Sequence, residues 1–277
     1  MDVSTQRQVT VAELKRAWDA LQAGAYQDEQ PYAAQPGTVE PLQARGGRVI
    51  PVLGCGGGVG ASTTALALAL AIDAPCALID AAPATASGLA GASTAELGQR
   101  EAGWSQGTRA QVIISRIIDT VAMPVEVPAP PAADRDIDAT VIDLGWPPEI
   151  LMGQVSWLRD LVVGTDPLVL VASATLPGLR RLESTLTLLA GHRDAEPTLA
   201  AVLGPRLPRW PKPVRRGMGP RSRRLEQEGR IVALPCDRRL AVTGLDTAPL
   251  PPPLLAAACA VLDLLPAPAS MKGSTAS

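Results

Sequence analysis

The chain has 277 residues, of which 47% are hydrophobic and 19% charged, so a sizeable core is available and global disorder is not expected. A formal net charge of −2 argues against a protein that coats nucleic acid with its whole surface. The single histidine, His192, argues against Ser-His-Asp chemistry and against metal sites built from several histidines.

Targeting and metal-binding signals are missing from the sequence. The four cysteines form no CxxC pair, which argues against zinc ribbons and thioredoxin-like chemistry. The N-terminus lacks a signal-peptide pattern. The longest apolar run, residues 65–72, is far shorter than the ~20 residues needed to span a bilayer. We therefore expect a cytoplasmic protein with reduced cysteines, no transmembrane segment and no residue that serves as a dedicated metal ligand.

Residues 1–24 are predicted to carry an amphipathic helix that begins at residue 10. Thr10 and Glu13 make a capping box, and one face of the helix carries Val11, Leu14, Trp18 and Leu21. Residues 25–47, rich in Gln, Pro, Gly and Ala, are predicted to be a flexible linker. A tethered apolar face of this kind is suited to docking on a partner, and packing against its own domain is the alternative.

Residues 48–265 alternate short apolar runs with helical patterns, and residues 266–277 are predicted to be a disordered tail. The predicted strands are 49–53, 76–80, 125–127, 140–144, 168–173, 199–203 and 231–234. The predicted helices are 61–72, 149–161, 176–190, 221–228 and 254–265. Apolar strands that alternate with helices predict an α/β domain with a doubly wound, mostly parallel sheet.

The most informative stretch is 49–71, VIPVLGCGGGVGASTTALALALA, in which a strand leads through a glycine-rich turn into an apolar helix. Glycines let backbone N–H groups converge, and a helix N-terminus adds positive potential, so the turn is predicted to be an anion nest. A working P-loop ends in Gly-Lys-Ser/Thr, but Ala61 occupies the lysine position here and Cys55 the first glycine position. The predicted, vestigial nucleotide-binding residues are Gly56, Gly57, Gly58, Val59, Gly60, Ala61, Ser62 and Thr63.

The run GGGVGASTTALALA resembles the deviant Walker A motif of the ParA/MinD superfamily, whose usual pattern is KGGVGKTTTALNLA. CALIDAAP resembles the LLIDADP element and keeps Asp80, ATVIDLGWP resembles Walker B with Asp143, and VALPCDRRLA resembles the IPYD element. The resemblance covers residues 48–265 and implies a sheet of the P-loop NTPase type. The Gly-Ala-Ser ending is most similar to the CpaE/TadZ-like branch, which localises pilus and secretion machinery in bacteria.

The departures from this family pattern fall on the residues that carry its chemistry. In the family, a P-loop lysine holds the β- and γ-phosphates, a signature lysine reaches the nucleotide of the other subunit, and a second acid helps to orient the attacking water. Ala61, Gly56 and Ala82 stand at these positions here. The resemblance thus implies a homodimeric pseudo-ATPase without catalytic residues, binding ATP and Mg²⁺ weakly at most. We expect a scaffold or localisation factor that positions a pilus, secretion or conjugation assembly.

Two other functions stay open at this stage. One is a slow ATPase of the plasmid- or chromosome-partition type, in which an arginine, either Arg48 or one from residues 206–224, replaces the missing lysines. The other is a module that binds nucleotide through the loop amides without turnover. Recruitment to a membrane-associated machine or to the nucleoid fits these functions.

Residues 205–224 contain eight basic residues and no acid: Arg206, Arg209, Lys212, Arg215, Arg216, Arg221, Arg223 and Arg224. Because prolines and glycines interrupt this segment, we expect a mobile, exposed basic loop that carries Trp210. So dense a positive charge suits an anionic partner, namely DNA, an acidic protein surface or anionic lipid. The alternative is a merely solvated loop.

Overall fold

The computed structural model describes residues 47–100, 103–131, 136–165, 167–193 and 198–266. The predicted N-terminal helix with its apolar face, the linker up to residue 46 and the tail from residue 267 lie outside the described residues. The described residues all fall within one compact unit, Thr38–Ser277.

The described strands form a single sheet with helices between them. The strands are β1 (Arg48–Gly54), β2 (Cys76–Asp80), β3 (Ala95–Arg100), β4 (Trp104–Arg109), β5 (Val112–Ile117), β6 (Ala139–Asp143), β7 (Leu168–Ser173), β8 (Thr198–Leu203) and β9 (Ile231–Leu234). The α-helices are α1 (Ala61–Ala71), α2 (Pro148–Met152), α3 (Trp157–Gly164), α4 (Leu176–Leu189), α5 (Lys212–Arg216), α6 (Pro220–Gln227), α7 (Arg238–Thr243) and α8 (Pro252–Leu264). No helix of the described ranges is both long and apolar enough to cross a membrane.

The order of the strands across the sheet is β3-β4-β5-β2-β6-β1-β7-β8-β9. All neighbours from β5 to β9 pair in parallel, and only the β3–β4 and β4–β5 pairs are antiparallel. β1 lies between β6 and β7. The strands β2 to β6 lie on one side of β1, and the strands β7 to β9 lie on its other side. The predicted doubly wound, mostly parallel α/β fold is therefore confirmed, and its switch point, where ligands bind in such sheets, lies at the carboxyl end of β1.

Both faces of the sheet are covered, as a parallel sheet requires. Side chains of β1 alternate between two apolar layers, with Val49 and Leu53 in one and Ile50 and Val52 in the other. The first layer includes side chains of α3 and α4, and the second includes those of α1 and α8. β1 contributes to both apolar layers and α1 to the second, so the core fixes both ends of the glycine-rich turn between them.

Two sequence predictions of secondary structure are wrong, and three strands were missed. The predicted strand 125–127 is part of a short 3₁₀ turn, Pro124–Glu126, in which the Glu126 carboxylate accepts hydrogen bonds from two backbone N–H groups. Strands β3 and β4 were not predicted, because β3 is exposed throughout and β4 is largely polar, and the apolar run of β5 was overlooked. The predicted helix 149–161 is divided into α2 and α3, since Gly153 ends the first and the Ser156 side chain caps the second.

The predicted mobile basic loop is also corrected, because residues 205–224 form a 3₁₀ turn (Leu207–Arg209) followed by α5 and the first part of α6. Trp210 is only 4% exposed, and its indole N–H donates a 2.8 Å hydrogen bond to the Pro205 carbonyl. The Glu183 carboxylate of α4 accepts 2.9 Å hydrogen bonds from the N–H groups of Arg221 and Ser222. These contacts fix the start of α6, where the helix dipole also stabilises the negative charge of Glu183.

Candidate functional site

The glycine-rich turn joins the end of β1 to the start of α1. Gly58 and Gly60 have φ angles of +68° and +87°, in the left-handed region that favours glycine. Gly60 is the residue before α1, and no side chain caps the helix there. The sequence therefore places glycine at positions where the backbone requires it.

The backbone N–H groups of residues 56–63 donate no hydrogen bond to any group in the described ranges. The first donor after them is Thr64, whose N–H reaches the Gly60 carbonyl at 2.9 Å. Gly57 and Gly58 are exposed, so their donors are accessible from solvent, whereas Val59 between them and α1 is buried. A run of unpaired N–H groups at a helix N-terminus attracts an anion, since both the donors and the helix dipole favour negative charge. The donors that the sequence analysis assigned to an anion nest are thus available to a ligand at residues 57 and 58.

Two buried acids lie at the neighbouring strand ends. Asp80 ends β2 and Asp143 ends β6, and the two residues are partners in the parallel register. Asp80 is 1% exposed and accepts hydrogen bonds from the Ser87 hydroxyl and, at 3.2 Å, from the Ala82 N–H. Asp143 is 0% exposed, and neither of its carboxylate oxygens makes a hydrogen bond of normal geometry with a described residue. A buried carboxylate without such a bond needs a partner, which a bound ion or water can supply.

Ser62 connects the glycine-rich turn to the acids. Its hydroxyl lowers the pKa of Asp143, against the effect of burial, and so favours the charged carboxylate. On its other side, a Cβ placed on Gly88 would lie 2.9 Å from the Ser62 Oγ, so the Ser87–Gly88 backbone packs closely against the start of α1. The turn, Ser62 and the two acids therefore form one site, and the structure brings together three elements that the sequence analysis treated as separate motifs.

The environment of the acids makes their charged forms costly. Burial, and next the neighbouring Asp80, raise the pKa of Asp143 to about 7. Burial also raises the pKa of Asp80 to about 6, against the opposing effects of the Ser87 hydroxyl, the Ala82 N–H and the Arg116 charge. A cation that bound between the two carboxylates would remove this cost.

The donor set fits Mg²⁺. Two carboxylates and a hydroxyl are the hard oxygen ligands that this ion prefers, and P-loop proteins hold it with a Ser/Thr hydroxyl and a strand-end Asp. Within the described ranges no three His, Cys, Asp or Glu side chains cluster in a way that could hold a metal. An ion held by Asp80, Asp143 and Ser62 would thus take its other ligands from phosphate or water.

The replaced positions carry no chemistry of their own. Cys55 is buried, and its burial raises the pKa of the thiol to about 12, so it is not a nucleophile. Ala82, at the place of the family's second acid, is 2% exposed. A Cβ on Gly145 (φ +65°) would lie only 2.3 Å from the Ala82 Cβ, so this packing leaves no room for a larger side chain without movement.

The arginine nearest to the turn was not predicted. A Cβ placed on Gly56 would lie 3.0 Å from Nη1 and 3.1 Å from Cδ of Arg181, in α4. Arg48, a sequence candidate for the missing cation, lies instead at the other end of β1 and donates to the Pro266 carbonyl at 2.7 Å. The signal for Arg181 was its position early in the helix after β7, whose carboxyl end lies beside that of β1.

Seven residues of the predicted basic patch lie on α5, α6 and the preceding 3₁₀ turn, Arg206 directly precedes that turn, and all eight are exposed. Two of them have acidic partners: Arg215 pairs with Glu226 at 3.1 Å and Arg224 with Glu228 at 2.7 Å. None of the eight is among the nearest neighbours of the loop glycines Gly56, Gly57, Gly58 and Gly60. The patch is thus an exposed surface that sequence reasoning located, although its backbone is helical.

In metal-free buffer, the free energy of unfolding is expected to fall as the pH rises from about 4 to about 7. Asp80 and Asp143 have raised pKa values in the folded state, so their contribution is complete below the unfolded pKa and lost as the pH passes the folded one. Since one pKa unit corresponds to about 1.4 kcal/mol, Asp143→Asn should flatten this dependence measurably. Denaturant unfolding with EDTA at several pH values measures it, and exposed Asp160→Asn is the control. Parallel curves for Asp143→Asn and wild type would contradict the expectation.

No protein-family model and no curated protein matches this chain. Solved structures similar to it include the cell division ATPase MinD of Pyrococcus furiosus, with 13% identity, 78% of this chain and 98% of that chain covered, and a TM-score of 0.49. The ParA family ATPase of Chlorobium tepidum TLS has 13% identity and a TM-score of 0.46, and the match covers 78% of this chain and 98% of that one. The MinD cell division protein of Aquifex aeolicus has 15% identity, coverage of 78% and 97%, and a TM-score of 0.47. Likeness at this level says nothing about activity, substrate or partner.

Proposed function

We propose that this chain is a ParA/MinD-like protein that binds Mg·nucleotide and acts through binding, as a localisation factor or scaffold, with little or no hydrolysis. The observation that carries the proposal is the fully buried Asp143 carboxylate, which makes no hydrogen bond of normal geometry with a described residue and lies beside Asp80 and Ser62, next to a glycine-rich turn whose N–H groups donate no such bond either. An ordinary strand-to-helix turn has no use for two adjacent buried acids that destabilise each other.

Each part of this site has a role toward a nucleotide phosphate. The N–H groups of residues 56–63 would hold the phosphate oxygens. Asp80, Asp143 and Ser62 would hold Mg²⁺, which supplies charge neutralisation when it is bound. The motif resemblance to the ParA/MinD superfamily supports a nucleotide as the source of that phosphate.

The same site lacks groups for turnover. Phosphoryl transfer depends on positioning and on stabilising charge in the transition state. Ala61 supplies no charge at the P-loop lysine position, and buried Ala82 supplies no acid to orient water. A protein that binds nucleotide but keeps it can hold one conformation for long periods, which suits a dimeric scaffold. The motif resemblance to the CpaE/TadZ-like branch supports a pilus, secretion or conjugation assembly as the partner, with recruitment from the cytoplasm to that machine.

A second candidate, a slow ATPase of the partition type, is favoured by one observation. The Arg181 guanidinium lies against Gly56, the position of the family's signature lysine, so the site is not without positive charge. In that case the basic surface on α5 and α6 would contact the nucleoid. Measured turnover distinguishes the two candidates.

Calorimetry with Mg·ATP tests the proposed binding. We expect an affinity in the micromolar range or weaker, because the N–H donors and the acids remain while the lysine charge is missing. Asp143→Asn should remove the dependence of binding on Mg²⁺, since it takes away a metal ligand and leaves the loop intact. Asp160→Asn, an exposed acid in the first turn of α3, should bind as the wild type does. If the wild type binds no Mg·ATP at millimolar concentration, the proposed function is wrong.

A further inference from the structure

One cation lies directly against the glycine-rich turn. The side chain of Arg181 occupies the space that a side chain on Gly56 would need, with Nη1 3.0 Å and Cζ 3.6 Å from the position of such a Cβ. Gly56 stands where the resembled family has its signature lysine. Because glycine has no side chain, the arginine of another helix can approach the backbone of the turn.

The Arg181 guanidinium makes no hydrogen bond or ion pair with any residue in the described ranges, and the side chain is exposed. Some other arginines are engaged: Nη2 of Arg116 donates to both carboxylate oxygens of Glu96 at 2.8 Å, and Arg239 binds Asp246 at 2.7 Å. An arginine held next to a turn of unpaired N–H donors, with no acid of its own, adds positive potential at the place where an anion would bind.

An independent observation indicates that the turn serves a ligand. The Asp143 carboxylate is 0% exposed and makes no hydrogen bond of normal geometry with a described residue, although the Ser62 hydroxyl in the first turn of α1 and the Gly145 N–H lie near enough to lower its pKa. The loop donors and Arg181 supply positive potential, while the acids below them need a cation. This combination fits a magnesium-bound polyphosphate better than a lone anion.

We propose that Arg181 is a phosphate-binding residue of the turn, and that its guanidinium replaces in space the positive charge that Gly56 and Ala61 do not provide. This inference rests on the proposed function. Arginine suits the task because its planar fork donates two parallel hydrogen bonds to phosphate oxygens, whereas a lysine donates as a point charge. The residue acts on the nucleotide bound by its own chain.

Calorimetry with inorganic pyrophosphate and Mg²⁺, alongside Mg·ATP, tests the inference. Arg181→Ala should weaken pyrophosphate binding about tenfold or more, because a charge-assisted hydrogen bond is lost. The pyrophosphate affinity of Arg181→Lys should lie between those of Arg181→Ala and the wild type. Arg180→Ala is the matched control: it removes the charge of another exposed arginine one residue away in α4, which is not among the nearest neighbours of the loop glycines. All variants should keep the wild-type Tm, since neither arginine is buried.

Each outcome of these measurements either supports or overturns the role of Arg181. Equal pyrophosphate affinity in Arg181→Ala and wild type would overturn the role of Arg181 and leave the proposed function standing if Mg·ATP binds. Pyrophosphate binding that depends on Arg181, without binding of Mg·ATP, would support the inference and contradict the proposed function. A wild type that binds neither probe would overturn both. An equal loss in Arg180→Ala would show that only general charge acts, and would also overturn the inference.

Discussion

Steady-state hydrolysis of Mg·ATP by the wild-type chain is expected to be slower than that of a lysine-bearing ParA/MinD protein by a factor on the order of 10³ or more. Loss of one contact that stabilises transition-state charge costs roughly 10²–10³ in rate, and three such positions, Gly56, Ala61 and Ala82, are replaced here. Arg181 compensates for part of the charge at most, because it is one cation beside a turn at which the resembled family has two lysines.

Phosphate release, measured with and without DNA, checks this expectation. The informative variant is Ala61→Lys, since Ala61 is only partly buried at the start of α1 and a long side chain can leave toward solvent. It should tighten Mg·ATP binding. Gly56→Lys is a poorer test, because its side chain would meet Arg181. Asp143→Asn in the Ala61→Lys background should abolish any gained turnover, which excludes a contaminating ATPase. Wild-type turnover comparable to that of the lysine-bearing protein would refute the pseudo-ATPase proposal.

Binding to a polyanion is expected to depend steeply on salt and on the unpaired members of the basic surface. Arg216, Arg221 and Arg223 are exposed and form no ion pair with a described residue, so their charge is available to a partner. Changing all three to Ala should weaken binding by a factor on the order of 10² at low salt and reduce the salt slope by about 3, because each phosphate contact releases about one counterion.

The matched control is the pair Arg215→Ala and Arg224→Ala. These arginines lie on the same helices but face Glu226 and Glu228, so their removal should cost less than that of the unpaired residues. The probes are duplex DNA of random sequence, polyglutamate and vesicles that contain phosphatidylglycerol. DNA binding alone would favour the partition-type alternative, whereas binding to polyglutamate or vesicles would favour the scaffold. If none of the probes binds at low ionic strength, the surface is merely solvated.

Much of the central sheet could be predicted from local pattern. Strands β1, β2 and β7 are apolar on both faces, and such runs have few alternatives to burial in a parallel sheet. Turn chemistry is equally local: a left-handed backbone at Gly58 and Gly60 requires glycine wherever the rest of the chain lies. Asp80 and Asp143 could be placed at strand ends because each directly follows an apolar run in the sequence.

Tertiary packing alone decided the remaining features. Strands β3 and β4 are polar, so only pairing through the backbone places them on the sheet. The basic segment is helical because Trp210 is buried and Glu183, distant in sequence, caps α6. Arg181 reaches Gly56 because β7 pairs with β1 and brings the start of α4 to the turn. Sequence by itself showed that Gly56, Ala61 and Ala82 stand where the resembled family has two lysines and an acid, and that Asp80 and Asp143 are present. The neighbour that supplies positive charge was decided by the order of the strands, since contacts between distant residues depend on topology and not on local pattern.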